Sequence, residues 1–358
     1  MNKSLIIAIN PGSTSTKLSV YDKEKPVFEK IIRHSSTELN RFNKITDQLH
    51  FRKEMIMNEL TRQNIDFSSI LAIVGRGGLM KPVESGVYRI NDAMKNDLIN
   101  SPIGEHASNL GALIVDEITS EFSGIPGFIV DPVVVDELQP VARLSGHSAI
   151  PRLSIFHALN QKSVARLFAS ENHRKYEDLN LIVAHMGGGI SVGAHLKGKV
   201  IDVNNALSGD GPFSPERTGG LPSNQLAELC FSGTYTHEEI KSMLVGKGGM
   251  IAYLGTNDFR EICERASSGD ITAQLVIDAE AYQVSKEIGS MATVLKGEVD
   301  AIILTGGLAF QNSFIEKIKL STEFIAGITV YPGEYEMQAL VLNTLLAIDG
   351  KIEIKEYL

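Results

Sequence analysis

Apolar and polar positions along the chain form a series that occurs twice. Residues 5–9 are an unbroken apolar run, Leu5-Ile6-Ile7-Ala8-Ile9. A small polar stretch follows, Asn10-Pro11-Gly12-Ser13-Thr14-Ser15-Thr16-Lys17, and then alternation at Leu18, Val20 and Tyr21. That pattern predicts a strand, a glycine-containing turn and a second strand. Lys23-Glu24-Lys25-Pro26 reads as a turn and residues 27–32 as a third strand. About half the chain later the series returns. Residues 181–184 are apolar, His185-Met186-Gly187-Gly188-Gly189-Ile190-Ser191 is a glycine-rich turn, and residues 192–196 have strand character. A Lys197-Gly198-Lys199 turn then leads to a third strand at 200–203. Two such units predict a duplicated α/β architecture with a phosphate-holding turn in each half.

Between and after the copies, the spacing predicts a helix over 39–64, with Phe42, Ile45, Leu49, Ile56 and Leu60 on related faces. A short buried strand at 70–74 runs into Gly75-Arg76-Gly77-Gly78, where bare backbone beside an arginine suits close approach to a ligand. His106 opens a helix to about residue 120, and an apolar run at 127–130 ends in Asp131-Pro132. A strand-terminal carboxylate sits where open α/β sheets place their ligands, although aspartate is also an ordinary turn residue. Residues 151–168 read as loop and helix carrying Arg152 and His157; a lone histidine there also fits a core position. Residues 204–222 form a long Gly/Pro/Ser/Asn-rich loop containing Arg217, and loops of that length inside a domain usually carry function. Helices are expected at 223–231, 237–244, 258–267 and 271–295. A buried strand at 301–304 ends in Thr305-Gly306-Gly307 before a helix from about residue 311, a place where a nucleotide can meet bare backbone. A last strand at 328–331 leads through Glu334 and Glu336 into a final helix at 337–348. Acidic residues in a first helical turn also simply complement the helix dipole.

Composition narrows the chemistry. The 358 residues suggest about two domains, and 43% hydrophobic with 22% charged residues suits a packed, soluble protein. A formal charge of −9 argues against nucleic-acid or anionic-membrane partners, though local cations still suffice for a small anion. Two cysteines, Cys230 and Cys263, without metal-ligand spacing fit a reducing cytoplasm rather than a disulfide framework or zinc site. No apolar run reaches the length of a membrane span, and the N-terminal run reads as the first strand rather than a signal segment. The first turn is not a Walker loop: it lacks G-x-x-x-x-G-K-[ST], and a strand follows it.

Taken together, INPGSTSTK, AHMGGGIS and ILTGG, in this order, resemble the acetokinase family of short-chain carboxylate kinases. The likeness runs nearly end to end. It is closest to the butyrate kinase branch at VGRGGLMKP, at Asp131-Pro132 with VVVDEL after it, and at YPGEYEMQAL. Acetate kinases carry H-R-x-V-H-G-G and F-D-T-A-F-H in the corresponding places, so Gly75-Arg76-Gly77-Gly78 departs from that pattern. The resemblance implies two duplicated actin-like ATPase (ribonuclease H-like) domains with a nucleotide cleft between them. The expected division is 1–150, completed by the C-terminal helix at about 337–358, and 151–336.

By the same resemblance, Asn10, Ser13, Ser15 and Lys17 lie in the first phosphate and metal turn, and His185, Gly187, Gly188 and Gly189 in the second. Gly306 and Gly307 approach the adenosine and α-phosphate side. Arg76 and Arg217 face the carboxylate and the transferring phosphoryl group, Asp131 lies beside the phosphates and metal, and His157 touches the moving phosphoryl. Glu336, with Asn10, is on the magnesium side; Glu334 is its competitor for that place, and His106 matches a family histidine. The implied cofactors are ATP/ADP and Mg2+, and the implied partners are a short-chain carboxylate or acyl phosphate and further copies of the chain in a homodimer or larger homo-oligomer. Butyrate leads as substrate. Branched-chain, acetate or propionate kinases differ in the acyl pocket, for which Val133, Val134 and Val135 are candidates. A chaperone or filament ATPase, or a polyphosphate phosphatase, would share the turns without needing two arginines on a carboxylate.

Overall fold

The computed structural model of the chain describes residues 3–207 and 209–358; Met1, Asn2 and Ser208, the last within the expected loop 204–222, lie outside the described residues. Its strands are β1 (Leu5–Pro11), β2 (Ser15–Asp22), β3 (Lys25–Arg33), β4 (Ile70–Arg76), β5 (Val87–Arg89), β6 (Gly127–Val130), β7 (Asn180–Met186), β8 (Ile190–Leu196), β9 (Lys199–Val203), β10 (Ala301–Gly306), β11 (Ile328–Pro332) and β12 (Ile354–Glu356). They form a seven-stranded sheet, β12-β5-β6-β4-β1-β2-β3, and a five-stranded sheet, β11-β10-β7-β8-β9. The shared part is the duplication expected from the sequence. In each sheet an antiparallel three-strand meander (β1-β2-β3, β7-β8-β9) is extended from its first strand by two parallel strands (β4 and β6, β10 and β11).

The chain divides into two compact units, Met1–Asp136 with Tyr335–Leu358, and Glu137–Glu334. In the first, Ile6, Ile7, Ala8 and Ile9 of β1 and Ala72, Ile73 and Val74 of β4 are wholly buried, because helices cover both faces of these central strands. Asn10 and Lys17 are paired across β1 and β2, so their side chains share a face, and Thr16 points to the other. Asn10 reaches the helix Glu336–Ile348, while Thr16 reaches the helix Leu49–Arg62, which places these two helices on opposite faces. In the second unit, the helix Ala158–Glu171 packs on β7 and β10, and the long helix Ile271–Val294 packs on β7, β8 and β9.

Several elements differ from their sequence expectation. Residues 137–150 belong to the second unit rather than the first. Glu137 accepts the Val200 N–H at 2.8 Å and pairs with the buried Lys162 at 2.9 Å, and the Gln139 N–H reaches the Ile201 carbonyl at 3.0 Å. Tyr335 and Glu336 in turn belong to the first. The first turn is tighter than expected, because Asn10, Pro11 and Ser15–Lys17 are paired strand residues, leaving 12–14 as the tip. The helix expected over 39–64 is broken. A Ser35/Glu38 capping box starts the short helix Ser36–Leu39, and the Asp47 carboxylate accepts the Lys44 N–H at 3.0 Å to restart the chain ahead of Leu49–Arg62. Val134 and Val135 are core, 1% and 0% exposed, so these two of the three valines are accounted for by packing, while Val133 is half-buried. No described helix is long and apolar enough to cross a membrane.

Glu287, on the long helix of the second unit, is pushed up to about 7 from its ordinary value of 4.5, by burial first and then by the charge of Asp210, with Arg152 opposing. Its carboxyl is therefore protonated in the fold below neutrality. The stability tied to it is complete below pH 4.5 and is lost as pH rises through 7. Glu287→Gln removes that loss. The variant is expected to match the wild type in stability at pH 5 and exceed it by about 2 kcal/mol at pH 8, read from denaturant midpoints.

Candidate active site

In the first unit the end of β1 lies beside the end of β4, with Ile9 opposite Gly75. This brings Asn10 and Arg76 onto one carboxylate. Asn10 Nδ2 donates to Glu336 Oε2 at 2.6 Å, and Arg76 Nη1 donates to the same oxygen at 3.2 Å. Glu336 is 2% exposed, so its charge is held by these donors rather than by bulk water. Glu334 is exposed and belongs to the other unit, so Glu336 is the carboxylate that joins Asn10 and Arg76. Ser13 lies at the exposed tip of the turn, and Ser15 and Lys17 are partly buried on β2.

The glycines around Arg76 have a different cause from the one the sequence suggested. A Cβ on Gly75 would lie 2.7 Å from the Gly111 carbonyl oxygen, and one on Gly111 would lie 2.1 Å from that of Arg76. Gly77 and Gly78 are similarly closed in by Pro132 and Asn109. These glycines let the helix Leu110–Glu121 and the 131–132 turn cross β4 at backbone contact. Asp131, 1% exposed, carries a left-handed φ of 38°, a conformation that non-glycine residues hold only when their surroundings enforce it. Its Oδ1 accepts from Ser85 Oγ at 2.5 Å and from the Gly86 N–H at 2.8 Å. His106 starts the 3-10 turn Ala107–Asn109, accepting the Ser108 N–H on Nδ1 at 3.2 Å.

The second unit brings together the other set. His157 precedes the helix Ala158–Glu171, and its ring stacks on His185 with centroids 3.9 Å apart. His185 Nδ1 meets Asn160 Oδ1 at 2.8 Å. Behind the pair runs a buried polar chain. Tyr176 Oη lies 2.7 Å from His195 Nδ1, and His195 Nε2 lies 2.9 Å from Gln161 Oε1. Gln161 Nε2 donates to the Ser191 carbonyl at 2.9 Å and to its hydroxyl at 2.8 Å, and that hydroxyl is 2.9 Å from His157 Nδ1. Burial, with the nearby charges of Lys162 and Arg166, holds His195 well below its ordinary range, so it is neutral. Gln161 donates to the Ser191 hydroxyl, whose own hydrogen is then available to His157 Nδ1, an arrangement that would place the His157 proton on Nε2. Ser191→Ala is expected to lower kcat about tenfold and keep the MgATP KM within about twofold, because it removes the hydroxyl beside His157 Nδ1 while leaving the backbone of Gly187, Gly188 and Gly189 in place.

Arg217 lies against the second glycine turn. A Cβ on Gly189 would fall 2.1 Å from Arg217 Nη1, so only glycine admits the guanidinium there. Arg217 donates to the Ala206 carbonyl, and Ser214 donates to the Gly188 carbonyl at 2.7 Å. Beside Arg217 lies a small indentation of mixed character, walled by Ile190, Leu207 and Leu244 but also by Asn205, Asp210 and Ser214. Arg152 steadies the same loop, bonding Asp202 at 2.8 Å and the Val203 carbonyl at 3.0 Å and lying 3.7 Å from Asp210. Gly187 and Gly188 complete the turn after β7. Gly306 ends β10 and Gly307 is exposed at the start of the 3-10 turn Gly307–Phe310. Sequence reasoning did not find Ser191, Gln161 or Arg52 as site supports, since nothing in their local spacing marks them.

The sequence model of the acetokinase family matches residues 147–345. The chain belongs to the acetokinase family. Its fold is that of solved members. It superposes on acetate kinase from Porphyromonas gingivalis with a TM-score of 0.77 at 18% identity, over 96% of this chain and 99% of that one. A propionate kinase from Francisella tularensis subsp. tularensis SCHU S4 gives 0.76 at 19% identity, covering 95% and 98%. Acetate kinase from Entamoeba histolytica gives 0.74 at 17%, covering 94% and 98%. The acetokinase fold thus comprises the two duplicated actin-like domains described above. Among the described residues no group of three or more His, Cys, Asp or Glu side chains is arranged to hold a metal. The oxygen-bearing pair Asn10 and Glu336 instead fits magnesium, which favours one or two protein oxygens, several waters and substrate phosphates.

Proposed function

We propose that this acetokinase-family chain transfers the γ-phosphoryl group of ATP directly to a short-chain carboxylate, butyrate or an acid of similar size, giving an acyl phosphate and ADP. The observation that carries the reading is Arg217. Its guanidinium lies on the second glycine turn, held by the Ala206 carbonyl. A fixed planar cation beside a phosphate-type turn suits a carboxylate and the phosphoryl group it receives.

The carboxylate is ionised at neutral pH and needs no general base. The barrier is the meeting of two anions, so catalysis consists of positioning and charge neutralisation. In this reading Arg217 and Arg76 neutralise and orient carboxylate and phosphoryl oxygens, His157 donates from Nε2 to the moving phosphoryl group, and Asp131 holds its strand end. The turns at 12–15 and 187–189 take phosphates by backbone N–H, with Lys17 and His185 flanking them, and Gly306 and Gly307 take the nucleoside side. Asn10 and Glu336 would hold magnesium, which when bound supplies charge neutralisation on the phosphates. The reverse reaction uses the same groups. The cytoplasmic location and self-assembly implied by the resemblance belong to the same proposal.

Acetate or propionate is the direct competitor for the acyl site. The glycines at 77 and 78 are explained by backbone packing and do not size that site. MgATP with acetate, propionate, butyrate or isobutyrate in the presence of hydroxylamine tests the proposal. Hydroxamate formation led by butyrate or isobutyrate is expected. Leadership by acetate would move the acceptor assignment, and no hydroxamate with any acid would overturn the reaction.

A further inference from the structure

Arg52 is the largest wholly buried side chain of the first unit's helix Leu49–Arg62, and it lies directly beneath the first turn. Its Nη1 donates to the Gly12 carbonyl at 2.8 Å, the Ser15 carbonyl at 3.1 Å and Thr16 Oγ1 at 3.2 Å. Its Nη2 donates to the Ser13 carbonyl at 3.1 Å. Nε and Nη2 straddle Gln48 Oε1 at 3.0 and 2.9 Å. Every one of these partners is neutral. A buried guanidinium normally takes a carboxylate, since its own charge is costly to desolvate. Here burial alone pulls its pKa down to about 10. Its field is felt nearby, where burial and the Arg52 charge push His34 down to about 4.

The carbonyl contacts also set the direction of the turn's donors. In a trans peptide, C=O and the following N–H point opposite ways. With the Gly12 and Ser13 carbonyls aimed inward at Arg52, the Ser13 and Thr14 N–H groups are aimed outward. Both residues are exposed, and among the described residues neither N–H has an acceptor within the protein. Two adjacent outward N–H groups backed by an uncompensated cation make an anion-binding concavity.

We infer that Arg52 is a positioning residue for the first phosphate turn, holding its N–H groups outward and lending the turn an uncompensated positive charge that selects phosphate. This rests on the reading that the turn takes nucleotide phosphates. The missing countercharge supplies the test. Gln48→Glu would place a carboxylate on the same guanidinium nitrogens while keeping the carbonyl contacts. Its melting temperature is expected to stay level or rise, while the MgATP Kd, measured by calorimetry without any acyl acceptor, rises about tenfold. Arg52→Lys, which keeps the charge but loses the planar fork, is expected to bind MgATP more tightly than Arg52→Gln when both are folded. A Gln48→Glu protein with a wild-type melting temperature and wild-type MgATP affinity overturns the inference. Loss of MgATP affinity that only tracks loss of folded protein across the three variants overturns it too. Wild-type chain that binds no MgATP overturns the phosphate reading itself. Binding without acyl transfer leaves Arg52's role standing and refutes only the carboxylate acceptor.

Discussion

Arg217→Ala is expected to lower kcat roughly a thousandfold while leaving MgATP affinity nearly intact, the range seen when an arginine that neutralises a phosphoryl transition state is removed. The expectation follows from how the side chain is held. Gly189 leaves room for the guanidinium, and Ala206 accepts from it, so the charge is fixed before substrates arrive. Fixed charge in a partly buried place acts more strongly on the transition state than a mobile surface cation. In the proposed reading nucleotide affinity comes mainly from backbone groups of the two glycine turns and from the nucleoside side. Arg217→Lys is expected to recover only part of the loss, since an ammonium cannot present the planar fork. Turnover near the wild type in Arg217→Ala would remove the residue from the mechanism.

Arg76→Ala is expected to lower kcat/KM for the carboxylate roughly a hundredfold, in the range found when one member of a buried charged pair is truncated. The MgATP KM is expected to move much less. Arg76, whose side chain is 16% exposed, shares Glu336 Oε2 with Asn10, and both Asn10 and Glu336 are buried. In the proposed reading, removing the guanidinium takes away a donor to substrate, and it also removes one of the donors to Glu336. The two residues should therefore be coupled. Glu336→Gln combined with Arg76→Ala should cost less than the sum of the single changes. If Arg76→Ala changed only the ATP KM, its assignment to the carboxylate would be wrong.

The fold was legible where burial imposes a period. β1, β4, β7 and β10 are central parallel-paired strands covered on both faces, and each reads as a continuous apolar run. The meander that follows β1 and β7 repeats with its turns, so the duplication was visible without any structure. Short edge elements were not: β5 and β12 are three residues each, too short for alternation to register. The break near residues 40–45 depended on side chains of Ser35, Glu38 and Asp47 closing on backbone, which hydrophobic spacing cannot show. Site residues lying at strand ends or in glycine turns were readable as polar groups after apolar runs. Their supports were not. Arg52 looks like one polar residue of an amphipathic helix, and Gln161 and Ser191 meet only because β8 lies beside the helix that follows His157. The Gly75-Arg76-Gly77-Gly78 run shows the opposite error, in which a ligand was invoked for glycines that close packing against Gly111, Pro132 and Asn109 requires.

The central claim is that a carboxylate oxygen attacks the γ-phosphorus of ATP. It is tested most directly by incubating the wild-type protein with MgATP and carboxyl-18O-labelled butyrate and following phosphorus by 31P NMR. The account predicts an acyl phosphate resonance shifted by one 18O bonded to phosphorus, formed together with ADP. ADP accompanied only by unlabelled inorganic phosphate, with no acyl phosphate from butyrate or from acetate, propionate or isobutyrate, would contradict it.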